Sequence, residues 1–125
     1  GVRPDARWQE IYREGGFHEA DWQRVEGDLT SMVRLAQAKG VEVAILHIPD
    51  HGPWNADVAY PARRLQRLSE RLGVTFLDAL PSILAAGGPT GFYFPLDGHP
   101  NVQGHRVIAS VVADEIARRL TTTLP

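Results

Sequence analysis

Cysteine is absent from this chain. That excludes disulfides, thiolate zinc sites and a cysteine nucleophile. The absence fits either redox compartment, so localisation stays open. No apolar run approaches membrane-spanning length, and the N-terminus lacks a signal-peptide pattern. Charge of one sign is lacking too. A net charge of −2 gives no electrostatic reason to expect nucleic acid or an anionic membrane as partner. Serine is scarce, confined to Ser31, Ser69, Ser82 and Ser110.

What is present suits one small soluble domain over residues 1–125. Hydrophobic content of 43% and charged content of 22% are ordinary, and 125 residues can bury a core. The lead-in, 1–19, is weakly patterned. Trp8, Ile11 and Tyr12 suggest a short helix from Pro4 to Arg13, ended by Gly15-Gly16. The chain starts at Gly1 rather than Met, so a processed product or a piece of something longer is expected. From Asp21 to Lys39, Trp22, Val25, Leu29, Met32, Val33 and Ala36 recur at spacings of three and four, which predicts a helix with one buried stripe. Gly40 is placed to stop it.

Val41 to Ile48 is a nearly continuous apolar run ended by Pro49, which reads as a strand buried in a parallel sheet. His47, near its end, reads as a hydrogen-bonded residue rather than a ligand. The following loop carries His51 and Trp54, at the strand end where open α/β sheets place ligands. Both are therefore weak candidates for lining a pocket, against the plainer reading of a surface loop. Pro61 to Leu72 predicts a second helix stopped by Gly73. Its Arg63, Arg64, Arg67 and Arg71 read as a solvated face. Val74 to Asp78 predicts a second strand, Ala79 to Leu84 a short helix or turn, and Gly87 to Gly91 a loop. Asp78 reads mainly as a residue that caps the next turn. This order implies parallel strands with right-handed crossovers.

The richest stretch is Tyr93 to Ala109, Tyr-Phe-Pro-Leu-Asp-Gly-His-Pro-Asn-Val-Gln-Gly-His-Arg-Val-Ile-Ala. Asp97 and His99 stand two residues apart on a segment that Gly98 and Pro100 keep from being helical. Asn101 is a candidate N-cap for a last helix whose apolar face is Val107, Ile108, Val111, Val112, Ile116 and Leu120. A carboxylate beside a histidine can hold an imidazole in one tautomer and let it move protons. The plainer alternative is a capping and hydrogen-bonding pair.

The run Asp-Gly-His-Pro-Asn-x-x-Gly-His-x-x-Ile-Ala resembles the last block of the SGNH (GDSL-type) hydrolases. The wider resemblance covers roughly residues 20–120 and is specific only at Asp97 to Ala109. It implies a partial flavodoxin-like three-layer α/β/α fold with the N-terminal strands missing. It also implies that His99 and Asp97 are the base and the acid of a Ser-His-Asp triad for ester hydrolysis, with no cofactor. The Asp-x-His spacing is shorter than the family's usual Asp-x-x-His and resembles the alginate O-acetyltransferase-like branch. The family's Gly-Asp-Ser block and its oxyanion blocks are not found here. Ser31, Ser69 and Ser110 fall inside predicted helices, and none of the four serines sits in a strand-to-helix turn. The expectation is therefore a C-terminal part of such an enzyme, with the nucleophile upstream of Gly1. Its substrate would be a small ester or acylated carbohydrate. Self-association through the exposed sheet edge is expected. The alternatives are an O-acetyltransferase acting on a polysaccharide and a non-catalytic α/β binding or assembly module. A metal site from Asp97, His99 and His105, with His51 nearby, matches no trusted spacing.

Overall fold

The computed structural model describes residues 18–51 and 57–123. The Pro4–Arg13 helix expected from sequence, and Trp54, lie outside the described residues. Within them the order is α1 (Glu19–Ala38), β1 (Ala44–His47), α2 (Tyr60–Leu72), β2 (Thr75–Asp78), α3 (Leu80–Ala85) and α4 (Val102–Thr123). The strands β1 and β2 pair in parallel as a two-stranded sheet, which gives a mixed α/β chain. The chain divides into two compact units, and both strands contribute to each.

The first unit runs through Ile45 and resumes from Pro53 to Phe76. Its two helices end by one device. At the end of α1, Gly40 takes φ +70° while its N–H donates to Gln37 O and the Val41 N–H donates to Ala36 O, both at 3.0 Å. At the end of α2, Gly73 takes φ +66° and the Val74 N–H donates to Ser69 O at 3.0 Å. A left-handed glycine lets the chain satisfy the last carbonyls and turn directly into the next segment. Val33, Ile45 and Leu68 form the core, with Leu29, Val43, Leu65, Leu72, Val74 and Phe76 packed against it. The stripe on α1 is narrower than its spacing suggests. Leu29 and Val33 face the core, whereas Val25 and Met32 are 45% and 66% exposed. The first strand is also shorter than expected. Only four residues of Val41–Ile48 form β1, because β2 offers four residues to pair with.

Arg64 departs from the solvated face read for its arginine run. Its side chain is only 9% exposed. Two guanidinium nitrogens donate to Glu19 at 2.7 Å, Nε donates to Glu26 at 2.7 Å, and a further N–H reaches the Tyr60 hydroxyl at 2.9 Å. The guanidinium also lies 5.5 Å from the centre of the Trp22 ring. The bonds to Glu19, then those to Glu26, raise its pKa further. A buried cation is tolerable only when its donors are this fully used.

The second unit comprises residues 46–52 and Leu77–Pro125. It holds the C-terminal ends of both strands, α3, α4 and the loop between those helices. Ala79, Leu80, Ile83, Tyr93 and Ile108 are buried here. On α4 the apolar face is buried only at its start. Ile108 is 8% exposed, but Ile116 and Leu120 are 53% and 61% exposed. Glu115 holds Arg118 and Arg119, and those hydrogen bonds, Arg118 first, bring its carboxyl down to about 2.

Candidate functional site

Of the described histidines of the second unit, His47 ends β1 and His51 follows it, His99 lies in the loop before α4, and His105 lies on α4. The loop folds back on itself. Tyr93 and Pro100 form an antiparallel bridge, Phe94 N–H donates to His99 O at 2.9 Å, and Asn101 N–H donates to Phe92 O at 2.9 Å. Pro95 to Gly98 therefore form the tip of a short hairpin-like turn, in which Gly98 takes φ +71°. Asn101 caps α4 as its sequence position suggests. Its Oδ1 accepts the N–H groups of Gln103 and Gly104 at 2.9 and 3.1 Å, and its Nδ2 donates to Gly91 O at 2.8 Å.

Asp97 and His99 sit on this turn and are 61% and 80% exposed as side chains. Asp97 Oδ1 accepts the backbone N–H of His99 at 3.0 Å, the local bond typical of an acid in a turn. The same oxygen lies 3.5 Å from His99 Nδ1, within ion-pair range but too far for a strong hydrogen bond. The imidazole is thus carried on a hydrogen-bonded turn with its ring open to solvent. Leu96, immediately before Asp97, is fully exposed, and Phe94 is half-exposed.

The second segment is extended, and alternate residues of it are fastened. His47 Nδ1 pairs with Asp78 Oδ1 at 2.7 Å, and His47 O accepts the Ala79 N–H at 3.1 Å. Asp78 Oδ1 also accepts the Leu80 N–H at 3.0 Å, so one carboxylate oxygen fixes both the strand end and the start of α3. Pro49 O accepts the Tyr93 hydroxyl at 2.6 Å in a buried bond. Burial there, with the Asp50 carboxylate as a lesser cause, pushes the Tyr93 phenol up to about 12. Next comes His51, 44% exposed as a side chain, whose ring centre lies 6.3 Å from that of Tyr93. A methyl group placed on Gly98 would lie 3.0 Å from His51 Nδ1 and 3.4 Å from its Cε1, so the imidazole rests against the glycine between Asp97 and His99.

Sequence reading singled out Asp97, His99 and His51, and the structure brings all three to one turn. It does not treat Asp78 and Tyr93 as partners of the site, although they fasten the segment that delivers His51. The signal that could have pointed to them is the His-x-Pro-x-His spacing from His47 to His51, a period of two in which one face of an extended chain is held. His105 is exposed on α4. The hydroxyls of Ser31, Ser69 and Ser110 each donate to a carbonyl of their own helix, and Ser82 lies within α3. Among the described residues no three of His, Asp and Glu gather so as to hold a metal ion. Among them, too, no helix is long and apolar enough to cross a membrane. The open groove of the first unit, lined by Glu26, Thr30, Arg34 and Arg71 among others, has no histidine or serine in its lining. Comparison with protein-family models, with curated proteins and with solved structures gives no match.

Proposed function

We propose that this chain supplies the acid–base half of a serine acyl-transfer site of SGNH type, with His99 as general base and Asp97 as its acid. The observation that carries this reading is the exposed Asp97–His99 pair on a backbone-locked turn directly before a capped helix. None of the four serines offers a nucleophile. Three hydroxyls are engaged with helix carbonyls, and the fourth belongs to α3. The nucleophile is therefore assigned to a serine outside this chain. His99 takes the proton from that serine as its oxygen attacks the ester carbonyl, then returns it to the departing alcohol oxygen. A second cycle with water, or with a sugar hydroxyl, releases the acyl group. Asp97 orients the ring and stabilises the imidazolium. The substrate is a small ester or an acylated carbohydrate.

A second reading has one observation in its favour. The short bond from Asp97 goes to the His99 backbone rather than to its ring, which is what a turn in a non-catalytic module requires. Hydrolysis of 4-nitrophenyl acetate separates the two. The chain is assayed alone and as a version extended upstream through its encoded N-terminal region, each with and without His99→Ala. The expected result is activity in the extended version that His99→Ala abolishes, and silence from the short chain. Extended-version activity that survives His99→Ala refutes the assignment of the base. Activity in the short chain that depends on His99 refutes the assignment of the nucleophile. Silence throughout, including with a sugar hydroxyl offered as acyl acceptor, supports the non-catalytic module.

A further inference from the structure

We infer that His51 is a positioning residue for the Asp97–His99 turn, acting through the close approach of its ring to Gly98. The inference rests on Asp97 and His99 being the working pair. Three facts lead to it. The imidazole occupies the space a side chain at Gly98 would need, with Nδ1, Cε1 and Cγ at 3.0, 3.4 and 3.6 Å from that point. Gly98 holds a left-handed φ of +71° and has no side chain, so at this point the turn leaves room for a ring from another segment. His51 itself is not adrift, because the segment bearing it is fastened two residues earlier at Pro49 O and four residues earlier at His47.

The mechanical consequence follows from the tip's own bonding. Between Phe94 and His99 the turn is closed by backbone bonds from Phe94 N to His99 O and, at 3.3 Å, from Gly98 N to Phe94 O. The second is a long bond on the Asp97–Gly98 peptide itself. The His51 ring, standing where a Gly98 side chain would be, adds a further restraint on that peptide and so helps keep Asp97 Oδ1 in line with the His99 N–H. The contact is steric, so on this proposal a phenyl ring serves in place of the imidazole even though it gives up the 3.5 Å approach of His51 Nδ1 to Asp50.

The test is amide hydrogen exchange and ring NMR of His99 in the isotopically labelled chain. His51→Ala is expected to speed exchange of the His99 amide about tenfold and to shift its ring signals, while the amides of α4 keep their protection. His51→Phe is expected to restore both readouts. Gly98→Ala, which forces a methyl against the ring, is expected to disturb His99 more in the native background than beside His51→Ala. An unchanged His99 amide and ring in His51→Ala overturns the inference. So does a His51→Phe protein that behaves like His51→Ala with α4 protection intact. Should His51→Ala loosen the whole unit, the Phe variant and the Gly98 comparison decide. These readouts need no catalysis, so a failed ester assay refutes the proposed reaction without touching this inference. Where the extended version is active, His51→Ala lowers kcat with KM nearly unchanged, and His51→Phe recovers it.

Discussion

Gly104 is the position where ordinary helix rules give the wrong sign. It lies in the first turn of α4, and glycine to alanine inside a helix normally stabilises by up to about 1 kcal/mol. Here a Cβ would sit 2.2 Å from the carbonyl oxygen of Phe92 and 3.0 Å from Pro100 Cβ. Relieving the first contact moves backbone by about 1 Å, since ordinary contacts lie near 3.5 Å. The Phe92 carbonyl also accepts the Asn101 N–H at 2.9 Å, the bond that closes the base of the turn. Overpacking costs about 1–3 kcal/mol, and loosening that hydrogen bond adds about 1. Set against the helix gain, Gly104→Ala should destabilise by about 1–3 kcal/mol. Gly27, in α1, has open space where a Cβ would stand, with nothing within 4 Å, so Gly27→Ala should stabilise by about 0.5–1 kcal/mol. Urea unfolding followed by far-ultraviolet circular dichroism gives both values. Opposite signs are expected. A neutral or stabilising Gly104→Ala refutes the close approach of the Phe92 backbone to α4.

Two further predictions test one unit each. Tyr93 holds its proton to about 12 when folded, against about 10 when unfolded, because of burial and then Asp50. Its contribution is whole below pH about 10 and is lost as pH rises towards 12, since the unfolded chain there releases a proton that the folded chain keeps. Tyr93→Phe should weaken that alkaline decline, yet cost about 1–2 kcal/mol at neutral pH by leaving Pro49 O without its donor; urea midpoints at about pH 8 and about pH 11 report both, and an unchanged alkaline slope counts against the assignment. Arg64→Met takes their main cation from Glu19 and Glu26, which are 33% and 18% exposed and keep longer contacts to Gln23 at 3.5 Å and Arg71 at 3.8 Å, and should destabilise by about 2–3 kcal/mol. Adding Glu19→Gln and Glu26→Gln should recover most of that loss, and no recovery would mean that packing against Trp22, rather than charge, sets the cost.

Local signals were legible wherever one residue's own geometry decides the outcome. Gly40 and Gly73 stop their helices, and Asn101 caps α4, because a left-handed backbone or a short polar side chain acts within a few residues of itself. The Asp97–Gly98–His99 turn was legible for the same reason. Signals that depend on a distant partner were not. Val41 to Val43 have the composition of a strand but lie outside β1, since composition cannot supply a ladder. Arg64 was read on an arginine face because the two glutamates that bury it are 38 and 45 residues away. Asp78 was legible as the residue that bonds the following turn through Leu80 N–H, but not as the partner of His47, 31 residues distant.

The second unit contains two Asp–His pairs, and burial separates what they can do. His47 and Asp78 are 6% and 23% exposed and meet at 2.7 Å, so their bond is shielded from water and fixes the ends of two strands. Asp97 and His99 are 61% and 80% exposed and lie 3.5 Å apart, where water weakens their attraction to about 1 kcal/mol or less. A base must reach a substrate, so on the proposed reading the open pair is the one that moves protons, while the closed pair fixes the segment that carries His51. The open pair gains strength only when something covers the turn and removes the water around it. A segment bearing the nucleophile would do that, shortening the Asp97–His99 contact in the same step that brings a serine to the imidazole. On the proposed reading, the 3.5 Å Asp97–His99 contact should therefore shorten when a serine-bearing segment covers the turn, and a contact that stays long in an active extended version would count against Asp97 as the orienting acid.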